Sequence, residues 1–268
     1  AVPTYVGAWT VIGALGPRGM LAEILGVESI PSLYGFWGAW VVLTLFSYPY
    51  VLLTVRAAWT RLDPSLEEAS RVLGRSSTET LLRVVLPQLR PALTGGSLLV
   101  ALYTLSDFGA VTMLRYDTFT RAIYVQYRGA LDRGAAAVLG LMLVILTIAV
   151  LRGEQRLRRV ESVHRLHGGG ARRAAPVPLG RWRAPALAGL TLLVTLSLAV
   201  PLAVIGFWLV RGMRIDEPVW PGIDLVLNSL GVSLAAAAAT TAAAVPVVLL
   251  ARRAPGRLAR IVEGLSWS

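Results

Sequence analysis

The sequence predicts an all-α fold, a polytopic transmembrane helical bundle, on three observations. Hydrophobic residues make up 55% of the 268 and charged residues only 15%, and the mean hydropathy of +0.64 lies well above that of soluble domains. The apolar residues are gathered into runs near the roughly 20 residues a helix needs to cross a bilayer. The basic residues, all arginine, give a net charge of +11 and lie between those runs. That placement points to membrane topology rather than to nucleic acid. There is no cysteine, which excludes disulfides, zinc-thiolate sites and thiol chemistry.

The elements follow in order. Ala1 to Gly16 reads as membrane-level or interfacial sequence. Five spans are predicted at Leu33–Val55, Ala92–Leu114, Ala135–Leu151, Ala184–Val210 and Leu225–Ala251. Pro49, Pro201 and Pro246 kink these spans without abolishing them, because neighbouring groups can satisfy the freed carbonyls. Gly95, Gly96 and the run Ala235–Ala239 allow close helix approach. There is no initiator Met, and Ile261 to Ser268 resembles the start of another span, so the sequence is expected to be a piece of a longer protein.

Arginine counts orient the spans. Arg56 to Arg90 holds six, Arg152 to Arg183 nine and Arg252 to Arg260 four. The alternate connections hold one (Arg18), four (Arg115 to Arg133) and two (Arg211 to Asp224). The positive-inside rule places the richer set in the cytoplasm. Gly153 to Arg183, with Gly168, Gly169, Gly170, Pro176 and Pro178, reads either as a cytoplasmic linker between two membrane units or as a long loop.

Glu68 to Pro87 is the most patterned connection. Asp63 and Pro64 suit a helix start, and Ser65 with Glu68 has capping-box spacing. Leu66, Ala69, Val72 and Leu73 form an apolar face expected to pack on the span ends. Gly74 supplies a left-handed stop. A second helix opens at Ser76 or Ser77 with Glu79 three residues on. Leu81, Leu82, Val84 and Val85 form its apolar part, and Pro87 and Pro91 bend the chain toward the next span. The polar side presents Glu67, Glu68, Arg71, Arg75 and Arg83. This is either a docking knuckle for a partner or a membrane-surface amphipathic hairpin.

The loop resembles the EAA motif of binding-protein-dependent ABC importer permeases: Glu-Ala-Ala, three residues, Gly, nine residues, Ile-x-Leu-Pro. Glu68, Ala69 and Ser70 stand for the triplet. Gly74 follows after three residues, Val84 after nine more, and Leu86 and Pro87 close the pattern, with Ser70 for Ala and Val84 for Ile as departures. The chain is most similar to fused ferric-iron transporter permeases, in Ser106-Asp107-Phe108-Gly109, in Asp117 through Tyr124, and in Asn228-Ser229-Leu230. The resemblance implies a type I ABC importer permease in the bacterial inner (cell) membrane, as a fragment of a chain with two permease halves. Residues 1–151 would be the C-terminal part of the first half, with the coupling loop at 57–91. Residues 152–183 would be the cytoplasmic linker and 184–268 the start of a truncated second half. Glu67, Glu68, Ala69, Ser70, Arg71, Gly74, Arg75, Val84, Leu86 and Pro87 would then face a cytoplasmic ABC ATPase dimer, which binds the ATP and Mg. The other implied partners are an extracytoplasmic substrate-binding protein, a second permease half or homodimer partner, and the lipid bilayer; no cofactor and no nucleic acid are expected.

Within the second span, Asp107 is the one acid at membrane depth, roughly 22 Å from Ala92 along the helix. Such a carboxylate faces a path or finds a partner. It either lines the translocation path with Ser106 and Tyr103, where a hard cation would suit it, or it caps the turn at Gly109 or pairs with Arg115. Tyr48, Tyr50, Tyr103, Tyr116, Tyr124 and Tyr127 are candidate iron ligands, most of them better read as interfacial anchors or packing. The loop Arg115 to Arg133 either meets a binding protein or is simply solvated. His164 and His167 lack further ligands, so no confident metal site emerges. There is no G-x-x-x-x-G-K-[ST] loop and no nucleophile–base set, so the chain reads as a transport subunit and not an enzyme. Ferric iron is the expected cargo. Thiamine, polyamines, sulfate or molybdate, and phosphonates are the alternatives, with a membrane-embedded enzyme or a scaffold as the rival classes.

Overall fold

The computed structural model of the protein describes residues 2–31, 33–129, 132–161, 180–214 and 222–253. His164 and His167, and most of the linker at 152–183, lie outside them. The described residues form helices and turns only: α1 Thr4–Leu15, α2 Met20–Leu25, α3 Phe36–Trp59, α4 Pro64–Val72, α5 Ser77–Thr80, α6 Leu86–Ser106, α7 Gly109–Met113, α8 Phe119–Arg128, α9 Arg133–Glu161, α10 Arg183–Val194, α11 Val200–Arg214 and α12 Ile223–Arg253. The all-α prediction therefore holds. Two compact units are distinguished, Ala1–Phe207 and Trp208–Ser268.

Among the described residues, five helices are long and apolar enough to cross a membrane: Phe36–Trp59, Ser77–Ser106, Arg133–Arg156, Gly180–Arg214 and Ile223–Pro246. The second differs most from the expected Ala92–Leu114. It begins fifteen residues earlier and stops at Ser106, so α5 and α6 are one continuous rod joined by a wide π-turn at Leu81–Val85. Pro87 and Pro91 do not turn the chain back. A proline clashes with the carbonyl four residues earlier and gives no N–H. The π-turn shifts the bond, with the Leu86 N–H donating to the Leu81 carbonyl, while the Gln88 side chain donates to the Val84 carbonyl at 2.9 Å. The same device, at Thr195–Ala199, precedes Pro201. Pro49 and Pro246 lie inside α3 and α12.

In the first unit the core joins α1, α3 and α7 through Ala8, Ala39, Val42, Phe46, Ala110 and Leu114. Small side chains set the spacing. The Phe46 ring lies against Gly7, and Gly96 of α6 seats against Val51 and the Thr54 hydroxyl of α3, where an added Cβ would sit 3.0 Å from the Val51 Cα. Gly96 is buried, while Ala235–Ala239 are all exposed. Apolar area left uncovered within the chain suits a lipid or protein cover.

Two connections carry special backbone. α2 and α7 each end in a Schellman motif. At α7 the left-handed position is Arg115, not glycine (φ 55°). The Tyr116 N–H donates to the Val111 carbonyl and the Arg115 N–H to the Thr112 carbonyl. The Arg115 guanidinium lies 4.7 Å from the Tyr34 ring centroid, which holds this uncommon conformation. Arg115 therefore stacks on an aromatic ring and does not pair with Asp107.

Gly96→Ala is expected to lower stability in detergent by about 1–3 kcal/mol, the usual range for overpacking. Adding Thr54→Ala should recover part of the loss, because it removes the hydroxyl the new methyl strikes. Thermal unfolding of the purified protein checks both; an unchanged Tm for Gly96→Ala would rule out the α3–α6 contact at this position.

Candidate functional site

The 57–91 loop is built from caps. The Asp63 side chain accepts from the Ser65 N–H at 2.9 Å, with Pro64 at the first helical position. That backbone bond holds the exposed Asp63 carboxyl below its ordinary pKa. Asp63, rather than the Ser65–Glu68 box, is thus the working cap. α4 closes in a Schellman motif: Gly74 has φ 82°, its N–H donates to the Arg71 carbonyl at 2.9 Å and the Arg75 N–H to the Ser70 carbonyl at 3.3 Å. Ser76 caps α5, accepting from the Glu79 N–H at 3.3 Å. Glu67–Arg71 at 2.6 Å and Glu79–Arg83 at 3.6 Å are i,i+4 ion pairs along the two helices.

The packing of α4 reverses the expectation. Its buried residue is Ser70, 5% exposed, whose hydroxyl lies 3.0 Å from that of Thr80, 1% exposed. This pair of hydroxyls pins α4 to α5, so the Ser70 departure from Ala has a structural partner. Val72 and Leu73, expected to pack on the span ends, are 86% and 79% exposed. Glu68, Ala69, Arg71 and Arg75 are exposed beside them, Glu67 and Val84 are half-buried, Leu86 is exposed and Pro87 is half-buried on the rod. The apolar face of α4 thus points outward together with the charges.

At the other end of the rod, Asp107 is not inside a span but in an extended break (φ −66°, ψ 127°) between α6 and α7. One carboxylate oxygen accepts from the Ala110 N–H at 3.0 Å, and the other from the Thr4 hydroxyl at 2.5 Å. The turn-capping alternative is therefore the geometry present. Thr4 also lies 3.0 Å from the Tyr103 phenol, whose ring tilts against Tyr50 at 5.4 Å. The Thr120 hydroxyl donates to the Asp107 carbonyl at 2.7 Å. Ser106 does not join them: it is exposed, and its hydroxyl donates back to the Tyr103 carbonyl at 2.9 Å. No described arginine pairs with Asp107, and the described residues contain no metal-binding group of three acids or histidines. Tyr103 and Asp107 have the i,i+4 spacing that hints at a shared face. Thr120 stands within the Asp117–Tyr124 stretch that the resemblance singles out, while Thr4 has no local signal.

The loop Arg115 to Arg133 holds α8, an amphipathic helix with no buried residue. It is anchored by the Arg121–Asp117 pair and by Tyr124 against Phe108 at 5.0 Å.

A family model described as "Binding-protein-dependent transport system inner membrane component" matches residues 1–159. The Fe(3+)-transport system permease protein FbpB 2 of Haemophilus influenzae is 34% identical over 183 residues, covering 68% of this chain and 36% of that protein. A probable sulfate transport system permease protein, cysT, of Prototheca wickerhamii is 30% identical over 156 residues, covering 56% of this chain and 61% of that one. The sulfate transport system permease protein CysT of Escherichia coli is 34% identical over 114 residues, 42% of this chain and 41% of that one. The chain thus spans only part of each, little more than a third of the ferric relative. With five apolar helices long enough to span, and a family of transport permeases rather than enzymes, it is a multi-pass protein of the bacterial inner membrane. The match over its first 159 residues makes the chain a member of the binding-protein-dependent transport system inner membrane component family of ABC importer permeases.

Proposed function

We propose that this chain forms part of the path of an importer for ferric iron, worked by a cytoplasmic ATPase dimer docked on the 57–91 loop and loaded by an extracytoplasmic substrate-binding protein. The observation that carries the docking is the outward apolar face of α4. Val72 and Leu73 stand almost fully exposed on a helix already capped at both ends and ion-paired along its length. Such a rigid apolar tip rimmed by Glu68, Arg71 and Arg75 calls for a partner groove. Movement imposed there passes into the Ser77–Ser106 rod, about 45 Å long by helical rise. Its far end carries Tyr103 and Asp107. ATP and Mg belong to the partner, and this chain performs no covalent chemistry. The arginine-rich connections put the loop in the cytoplasm and α8 outside, facing the binding protein. Residues 152–183 join two permease halves in this reading, with α10 and the helices after it opening the second.

Both ferric and sulfate permeases resemble this chain. Ferric iron is favoured by the far-end cluster. A buried carboxylate with no paired cation among the described residues repels an oxyanion and suits a hard cation with a preference for oxygen ligands. Sulfate is the second reading, supported by the relatives at 30% and 34% identity.

Ferric-loaded binding protein is expected to stimulate ATP hydrolysis by the reconstituted full-length complex, and sulfate-loaded binding protein is not; the reverse assigns the cargo to sulfate. Leu73→Asp, at a surface position, should shift stability by no more than about 0.5 kcal/mol and yet abolish copurification of the ATPase. Retained copurification would remove the docking role of α4. Glu68→Ala should abolish the stimulation, as should Gly74→Val, which places a β-branched residue at φ 82° in open space and so strains the backbone without a clash. Asp107→Asn should lower ferric uptake about tenfold at equal expression, the size expected for removing one charged partner in an apolar site. Unchanged uptake would exclude Asp107 from the path.

A further inference from the structure

Thr4 is the first residue of α1, is 3% exposed, and makes no cap to its own helix. Its single hydroxyl is placed between two groups contributed from roughly a hundred residues further along the chain: the Asp107 carboxylate at 2.5 Å and the Tyr103 phenol at 3.0 Å. Proton counting fixes the direction of both bonds. A carboxylate only accepts, so the one Thr4 proton goes to Asp107. The phenol must then donate to Thr4. The result is a directed relay, Tyr103 to Thr4 to Asp107, in which the phenol's proton and one carboxylate oxygen are both occupied by α1.

The backbone is shaped to admit this contact. Gly109 lies directly under α1, and a Cβ there would sit 2.7 Å from the Tyr5 Cβ. The remaining oxygens of Asp107 are tied to α7 and α8, through the Ala110 N–H and the Thr120 hydroxyl. Asp107 is therefore bound on one side by its own chain neighbourhood and on the other by Thr4.

We propose that Thr4 is a positioning residue for the cargo site, holding the Tyr103 phenol and the Asp107 carboxylate oxygen side by side. Two hard oxygen atoms are thereby kept in register at the end of α6, an arrangement that suits a highly charged cation of the ferric type. The cation assignment rests on the ferric reading above; the positioning role does not.

The test uses the full-length permease reconstituted with its ATPase and binding protein, reading ion uptake and the ATP hydrolysed per ion. Thr4→Val, which keeps the shape and deletes the hydroxyl, is expected to lower ferric uptake about tenfold and to raise ATP consumed per ion by a similar factor, while Thr4→Ser returns both to within about twofold of wild type. Gly109→Ala, which keeps all three polar side chains but pushes α1, and Thr4 with it, away from α7, should raise the same ratio. The positioning role is overturned if Thr4→Val uptake stays within about twofold of wild type, if Thr4→Ser is as defective as Thr4→Val, or if uptake and hydrolysis fall together with the ratio unchanged. If the wild-type complex responds to sulfate-loaded and not ferric-loaded binding protein, the cation assignment fails; the Thr4→Val and Thr4→Ser comparison, read on sulfate uptake, then decides the positioning role on its own.

Discussion

A backbone in an apolar medium must satisfy its own hydrogen bonds, and that requirement shapes the rod from Ser77 to Ser106. Two prolines four residues apart, Pro87 and Pro91, fall where a surface loop passes into a membrane span. In water the chain could break there at little expense. Beside hydrocarbon each freed carbonyl needs a new partner. The π-turn at Leu81–Val85 carries the helix through, with the Leu86 N–H on the Leu81 carbonyl and the Gln88 side chain on the Val84 carbonyl. Because it does, α5 is rigidly continuous with a membrane span, and α4, pinned to α5 by the Ser70–Thr80 hydroxyl pair, inherits the same rigidity.

That continuity gives meaning to features that look unrelated along the sequence. Close packing of α6 on α3 at Gly96 holds the rod against its neighbour. The rod also has stiff ends. At the loop end stiffness comes from three caps and two ion pairs, all made within about twenty residues. At the far end it comes from two hydroxyls and one backbone N–H that converge on Asp107 from three different helices. The first kind of stiffness is local and tolerant of sequence change. The second depends on tertiary contacts, so a single hydroxyl can matter there.

The same division explains what was legible in the sequence. Span count, helix type and the caps at Asp63, Gly74 and Ser76 follow from composition and short-range spacing, and the structure has each of them. The start of the second span was missed by fifteen residues. Pro87 and Pro91 carry a strong local signal for a break, and the tertiary requirement of the bilayer overrides it. The orientation of α4 was missed for a related reason. Periodicity locates the apolar face at Leu66, Ala69, Val72 and Leu73 but does not say which way it points. In a soluble domain it would point inward; here the polar Ser70 is buried because Thr80 waits for it, and the apolar face is left outside. Asp107 was legible as an unusual acid, and its capping role was one of two readings the residues allowed. Thr4 was not legible at all, since nothing within a hundred residues of it marks the contact.

The chemistry of the far end bears on the choice between ferric iron and sulfate more directly than identity to relatives does. An oxyanion path needs donors that outnumber acceptors. At Asp107 the nearby donors, the Ala110 N–H and the Thr4 hydroxyl, are consumed by the carboxylate itself. Tyr103 gives its proton to Thr4, leaving lone pairs rather than hydrogens on the phenol. A dianion arriving there would meet unneutralised negative charge and acceptor oxygens in a medium of low dielectric, where like charges repel strongly. A hard cation would meet the atoms it prefers. Two of the nearby arginines are engaged elsewhere: Arg115 stacks on Tyr34 and Arg121 pairs with Asp117. The electrostatic argument for a cation therefore stands on where the protons go, and it holds for the end of α6 irrespective of which relative shares the most residues.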